Sequence, residues 1–185
     1  MADDQPSDEG AAAGLPAGID LPRHRDFEGR RLGQWLRHGF LLLLTAIVVA
    51  ALLNVFGQRA TTSAVGSPAA SLTVTAPQRL RGGLLYQANF RIHALRAIAK
   101  PELVLSHGWF ENTTVNTLQP EPVDESSDGD QLRLRYAPLA AGETLLVFLE
   151  LQANPTNVGS HDASAAVTDG KLPLVSVDRT QFNFP

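Results

Sequence analysis

The stretch of this sequence with the most potential for chemistry is the acidic run DESSDGD at residues 124–130. The spacing of Asp124, Asp128 and Asp130, with a glycine at the sixth place, matches the first oxygen ligands of a calcium-binding loop. The twelfth place, however, holds Arg135 where such a loop needs a bidentate glutamate. Because Asp, Ser and Gly are also the usual residues of tight turns, an acidic hairpin turn is the favoured interpretation. A divalent-cation site is the alternative.

Three histidines, His93, His107 and His161, lie in the second half of the chain. A metal site would need two or three of them to converge with a carboxylate such as Glu111. None of the spacings H-x-H, H-x-x-H or H-E-x-x-H occurs, so solvated or structural histidines are the favoured interpretation. The sequence has no cysteine, which excludes disulfides, thiolate metal ligands and cysteine nucleophiles.

Motifs for nucleophilic catalysis and for phosphate binding are absent from the sequence. There is no G-x-S-x-G and no glycine-rich loop of the types that hold phosphates. The formal net charge of −4 argues against nucleic acid as a partner. We therefore expect a protein that is not an enzyme and that needs no cofactor.

Two adjacent aromatic residues, Trp109 and Phe110, lie in the otherwise polar segment SHGWFENTTVNT at residues 106–117. Neighbouring side chains on a strand face opposite ways, so one of the two rings would stay outside a core. A partly exposed aromatic ring is a typical anchor for a protein partner, which makes both residues partner-binding candidates. In the slightly favoured alternative, both rings pack at the edge of the domain under the loop at residues 118–130.

The elements that would position these residues begin with an apolar segment, FLLLLTAIVVAALLNVF at residues 40–56. As a helix it would be about 26 Å long, close to the hydrocarbon thickness of a bilayer. With its flanking glycines it predicts a single transmembrane helix at residues 39–57. Residues 20–39 contain five arginines and residues 57–76 contain only Arg59. The positive-inside rule then places the N-terminus in the cytoplasm and the C-terminal part outside it. Cleavage of this segment as a signal peptide is the alternative.

Composition divides the rest of the chain. Residues 1–20 are acidic and rich in Ala, Gly and Pro, which predicts a disordered cytoplasmic tail. Residues 21–38 form a basic juxtamembrane segment. Residues 58–70 are small and polar and predict a flexible stalk. The remainder, residues 71–185, predicts one extracytoplasmic domain.

Alternating apolar and polar residues predict the strands of that domain. The clearest segments are LLYQANFRI at 84–92, QLRLRY at 131–136 and ETLLVFLELQ at 143–152. Short alternating segments separated by turn residues are typical of an antiparallel sandwich. The sequence therefore predicts an all-β fold, an immunoglobulin-like antiparallel β-sandwich of about seven strands, preceded by one transmembrane α-helix. The segment at 94–100 favours at most one helical turn before Pro101.

Within this pattern, the segment PLAAGETLLVFLELQANPTNVG at residues 138–159 resembles the penultimate segment of bacterial immunoglobulin-like surface modules, the CARDB-like repeats of exported proteins. In those modules a Leu-x-x-Gly-Glu turn opens a long apolar strand that ends in a polar residue, Pro and Gly. The resemblance implies an immunoglobulin-like fold and a role in spacing, scaffolding or adhesion. The matching residues here are Leu139, Gly142, Glu143, Asn154, Pro155 and Gly159.

Together, these features predict a non-catalytic, membrane-anchored binding or scaffolding module that acts with another protein of a bacterial cell envelope. The lipid bilayer is its other expected partner, and the sequence does not determine an oligomeric state. The alternative function is an exported domain that senses a ligand or metal and signals through the span to a partner.

Overall fold

A computed structural model of the chain describes residues 30–53, 55 and 57–185. The chain divides into two compact units between Val49 and Ala50. The helix α1, Arg30–Leu52, contains a stretch that is long and apolar enough to cross a membrane. It begins at Arg30 rather than at residue 39, because residues 30–38 are compatible with a helix and contain no proline. The predicted tail at residues 1–20 lies outside the described residues.

Apart from the last three residues of α1, the described part of the second unit contains β-strands and one short 3₁₀ turn, His107–Trp109. The strands are β1 Ala60–Gly66, β2 Ala70–Pro77, β3 Arg79–Arg81, β4 Leu85–Ala94, β5 Pro101–Ser106, β6 Thr113–Gln119, β7 Asp124–Asp128, β8 Gln131–Arg135, β9 Thr144–Ala153, β10 Gly159–Asp162, β11 Ala165–Asp169, β12 Leu172–Val177 and β13 Thr180–Phe184.

These strands form two five-stranded sheets and a small third sheet. The first sheet has the order β1-β2-β4-β9-β6, and the second has the order β12-β11-β5-β8-β7. The small sheet, β10-β13-β3, contains the one parallel pair of the described strands, β13 with β3. The estimate of about seven strands was too low, because short edge strands such as β3 and β10 carry no apolar alternation of their own.

One hydrophobic core, to which both five-stranded sheets contribute, makes the domain a β-sandwich. Alternate residues of β2, β4 and β9 are buried. In β4 and β9 this confirms the alternation predicted from the segments at 84–92 and 143–152. Burying a large apolar side chain contributes about 1.5–3 kcal/mol, so this core is the main source of stability. Its largest fully buried apolar side chains are Trp109, Phe90, Leu72, Leu80, Ile92, Ile98, Leu103, Leu105, Leu134, Leu149 and Leu151.

The predicted turn before β9 is confirmed. Gly142 has φ +86°, a conformation that favours glycine, and its N–H donates to Ala94 O at 2.7 Å. The Glu143 carboxylate accepts a hydrogen bond from the Ala140 N–H at 2.8 Å. This turn fixes where β9 enters the centre of the first sheet, beside β4.

The segment predicted as a flexible stalk, residues 58–70, is largely a strand. All seven residues of β1 pair with β2, from Ala60 opposite Pro77 to Gly66 opposite Ser71. Small and β-branched residues lack an apolar face that would mark a strand, yet they fit the pleated edge of a sheet. The correction places the start of the sandwich at residue 60 rather than 71.

The segment at residues 94–100, for which the sequence predicts at most one helical turn, contains no helix. It bends over the end of the sandwich, and Ile98 forms an isolated bridge with Leu139. Ile98 is buried, with 2% of its surface exposed. The apolar contact and the bridge outweigh the local helix propensity of the alanines, which is a fraction of a kcal/mol per residue.

Candidate functional site

A partly apolar groove of about 500 Å³ lies between β6 and the β7–β8 hairpin. We call it the edge groove, because β6 and β7 are terminal strands of the two large sheets. Polar residues line its rim: His107, Glu125, Ser127, Gly129, Asp130 and Gln131. Its apolar surface is formed by Phe110, Val115, Leu118, Leu132, Leu134 and Leu149.

The apolar residues of the edge groove are an open extension of the hydrophobic core. Phe110, Leu118 and Leu132 are partly buried and pack against the core cluster. Val115 is 42% exposed. No further strand of the described chain pairs with β6 or β7 on this side. Covering this surface with another apolar group would gain about 25 cal/mol per Å².

Two carboxylates, Glu125 and Asp130, line the edge groove, and Glu125 faces it from β7. In the β7–β8 register Glu125 is opposite Leu134, and Ser127 is opposite Leu132, so these side chains share the face that looks into the groove. No ion pair of Glu125 occurs in the described part of the chain. Burial raises the pKa of the nearby Tyr136 hydroxyl, and the negative charge of Glu125 raises it further. The groove therefore presents negative charge above an apolar floor.

The acidic residues on the other face of β7 are paired with arginines. Asp124 accepts a hydrogen bond from the Arg135 guanidinium, and Asp128 lies 3.6 Å from Arg133 Nε. Four residues along a strand separate Cα atoms by about 13 Å, so Asp124 and Asp128 do not share a ligand position. The acidic run is an exposed strand that turns only at residues 129–130, which corrects the prediction of a hairpin turn over the whole of 124–130.

The cation-site alternative at Asp124, Asp128 and Asp130 stays a prediction, and calcium titration tests it. Within residues 30–53, 55 and 57–185, no group of three His, Asp or Glu side chains is arranged to hold a metal ion. We expect millimolar calcium to leave the melting temperature of the full chain unchanged, because binding would first have to break the two arginine contacts. A rise in melting temperature that disappears when all three aspartates are changed to asparagine would establish a calcium site instead.

The two aromatic candidates occupy different environments. Trp109 lies in the 3₁₀ turn with no exposed surface, and its indole N–H donates to Ser164 O at 3.0 Å. Its ring meets Phe90 edge to face, with the centroids 5.3 Å apart. This burial contradicts a surface role for the Trp109 side chain. Phe110 lines the edge groove, so its role in partner binding stays a prediction.

Of the three histidines, the structure brings only His161 close to a carboxylate. His161 Nδ1 lies 3.0 Å from Glu111 Oε2, and the imidazole side chain is 9% exposed. His107 lines the same shallow cavity, whereas His93 contacts Thr144 elsewhere. No third ligand joins the pair among the described side chains, so we interpret it as a link between the segment after the 3₁₀ turn and β10.

The groove residues that sequence reasoning missed are Val115, Leu118, Glu125 and Leu132. Each belongs to a short strand, and the sequence of that strand does not indicate which other strands lie beside it. Their proximity depends on β6 and β7 being the last strands of two different sheets. The one local signal was the aromatic pair before β6, which pointed to this end of the domain.

Comparison with known proteins adds little to this description. No protein-family model matches the sequence, and no curated protein matches it. Among solved structures, the chain is similar to a non-cellulosomal cohesin from the hyperthermophilic archaeon Archaeoglobus fulgidus, with a TM-score of 0.40 and 15% sequence identity. The match covers 69% of this chain and 92% of that chain. At this distance it carries no argument about what the present chain binds.

Proposed function

We propose that the protein is a non-catalytic, membrane-anchored binding module whose exported β-sandwich holds a second envelope protein at the edge groove. The observation that supports this most directly is the partly exposed apolar floor between two free sheet edges. An apolar centre surrounded by polar residues is the usual arrangement of a protein interface. Phe110, at one end of the floor, is the kind of residue that anchors such interfaces.

The helix α1 supports the membrane anchor. Its length and apolar composition suit a single span, and the arginines before its apolar stretch favour a cytoplasmic N-terminus. The extracytoplasmic position of the sandwich, which we infer to be immunoglobulin-like, follows from that orientation. A bacterial cell envelope is the setting that the exported-module resemblance favours.

The short connection between helix and sandwich restricts which partners the groove can meet. Only residues 53–59 separate the end of α1 from β1. Seven residues span at most about 25 Å when fully extended. We therefore infer that the partner is itself a membrane protein or lies against the membrane.

Site-specific photo-cross-linking in cells tests this proposal. A photoreactive amino acid at Val115 of the full chain should cross-link to one defined envelope protein, because Val115 is exposed in the groove. The same amino acid at Leu172, which is 63% exposed on the edge strand β12 of the second sheet, is the matched control and should not give that product. A Leu118→Lys change should abolish the Val115 product. Identical products from both positions, or a product that survives Leu118→Lys, would contradict the proposal.

A further inference from the structure

We propose that the partner enters the edge groove as an extended strand that pairs with β6 and places a lysine or arginine beside Glu125. This inference rests on the proposed function and specifies the chemistry of the partner. Addition of a strand to a free sheet edge is a general mode of peptide recognition, in which backbone hydrogen bonds supply affinity and alternate side chains supply specificity.

The four free edges of the two large sheets differ in how they are protected against such pairing. Charged residues, proline and bulges are the usual protection. β7 contains three acidic residues, and β12 contains Pro173. β1 has Thr61 O already bound by Arg179. β6, with the sequence TTVNTLQ, has no charge and no proline, and its one protection is a bulge between Val115 and Thr117.

The backbone of β6 offers two regular stretches for pairing. Its inner edge pairs with β9, and a register shift lies between Val115 and Thr117. Residues 113–115 and 117–119 on either side of this bulge keep the alternation of a strand. Val115 and Leu118, one from each stretch, line the groove. A strand added along β6 would therefore place its side chains over the apolar floor at both ends.

The size of the groove favours a strand over a helix. An α-helix is about 10–12 Å across with its side chains, so about one turn would fill a volume of 500 Å³. A strand needs less room, because only alternate side chains enter while the backbone remains at the sheet edge. Three or four apolar side chains over Phe110, Leu118 and Leu132 fit this geometry.

The charge of the groove sets the second requirement. Glu125 faces the groove and has no ion pair among the described side chains, and Asp130 lies at the rim. No lysine or arginine lines the groove. A cationic side chain among the entering apolar residues would meet a carboxylate in partly desolvated surroundings, where attraction between charges is stronger than in water. The fitting segment is therefore extended, apolar on one face and singly basic.

Selection from a displayed library of random ten-residue peptides tests this inference on the full chain in lipid nanodiscs. Binders to the wild type are retained, and binders to a Leu118→Lys variant are removed. We expect the survivors to alternate apolar residues and to contain a lysine or arginine. Glu125→Lys should weaken their binding at least tenfold without affecting the fold, since Glu125 is exposed. In an added strand, every second backbone amide of the peptide would face β6. Methylating those amides should also weaken binding at least tenfold, whereas methylating the amides that face away from β6 should not.

Three results would overturn the inference. The first is that no peptide binds the wild type better than the Leu118→Lys variant. The second is that Glu125→Lys leaves peptide binding unchanged. The third is that methylating any of the peptide's amides leaves binding unchanged. Peptides that need Leu118 but show helical spacing would overturn strand addition and leave the proposed function intact. Failure of the Val115 cross-link would overturn the proposed function itself, so the two failures are distinguishable.

Discussion

Replacing Trp109 with alanine is expected to lower the free energy of unfolding of the sandwich by about 3–5 kcal/mol. The indole ring is fully buried, meets Phe90 edge to face and donates its N–H to Ser164 O. The change removes the apolar contacts, leaves a cavity in a close-packed core and leaves Ser164 O without this donor. Thermal or urea unfolding of the full chain in detergent, followed by the near-ultraviolet signal, measures the loss.

Two variants separate the contributions at this position. Trp109→Phe keeps an aromatic ring beside Phe90 but loses the N–H donor, so we expect about 1–3 kcal/mol of destabilisation. Phe148→Ala is the matched control, because Phe148 lies on the outer face of β9 and is 38% exposed. This change should lower the free energy of unfolding less than Trp109→Ala does. An unfolding midpoint for Trp109→Ala equal to that of the control would contradict the buried position of the indole.

Replacing Arg179 with methionine is expected to lower the free energy of unfolding by about 3 kcal/mol, or about 10 °C in melting temperature. The guanidinium is buried and donates to Thr61 O at 3.1 Å, Ser63 Oγ at 3.0 Å and Ala76 O at 2.7 Å. Burial lowers the pKa of Arg179 from its ordinary value. The hydrogen bonds to β1 and β2 offset that desolvation, and methionine leaves these acceptors unpaired.

Arg179→Met should destabilise β1 more than the other strands, because β1 is an edge strand that the guanidinium holds through Thr61 and Ser63. Hydrogen exchange of the β1 amides measures this directly and should become faster than exchange in β4. Arg179→Lys should recover only part of the protection, since an ammonium group lacks the planar fork of donors. Arg96→Ala, at an exposed position, is the control. Unchanged protection of β1 in Arg179→Met would show that Arg179 does not hold this strand.

The faces of the long strands could be predicted from sequence because they are dictated by local alternation. Phe90 and Ile92 in β4, and Leu149 and Leu151 in β9, recur at every second position, and all four are buried. Shifting such a strand by one residue would move all of its apolar side chains from the core to the solvent, so only one register is stable. Turn residues with a special backbone conformation, such as Gly142, were equally visible.

The parts that could not be predicted depend on contacts between distant segments. β1 has no apolar face and becomes a strand only through its pairing with β2 and its contacts with Arg179. Trp109 was placed on a strand, where alternation expels one of two adjacent rings, but it lies in a 3₁₀ turn. The edge groove requires the order of strands in two sheets, which a single sequence does not contain. The membrane orientation and the sensing alternative stay predictions.

Thiol labelling of single-cysteine variants in intact cells tests the central claim most directly, because the sequence has no cysteine of its own. With a maleimide that does not cross the cytoplasmic membrane, Leu172→Cys should be labelled and Ser7→Cys should not. Val115→Cys should be labelled in the purified protein but protected in cells, because the proposed partner would cover the edge groove. Labelling of Ser7→Cys would contradict the orientation. Equal labelling of Val115→Cys in cells and after purification would contradict an occupied groove.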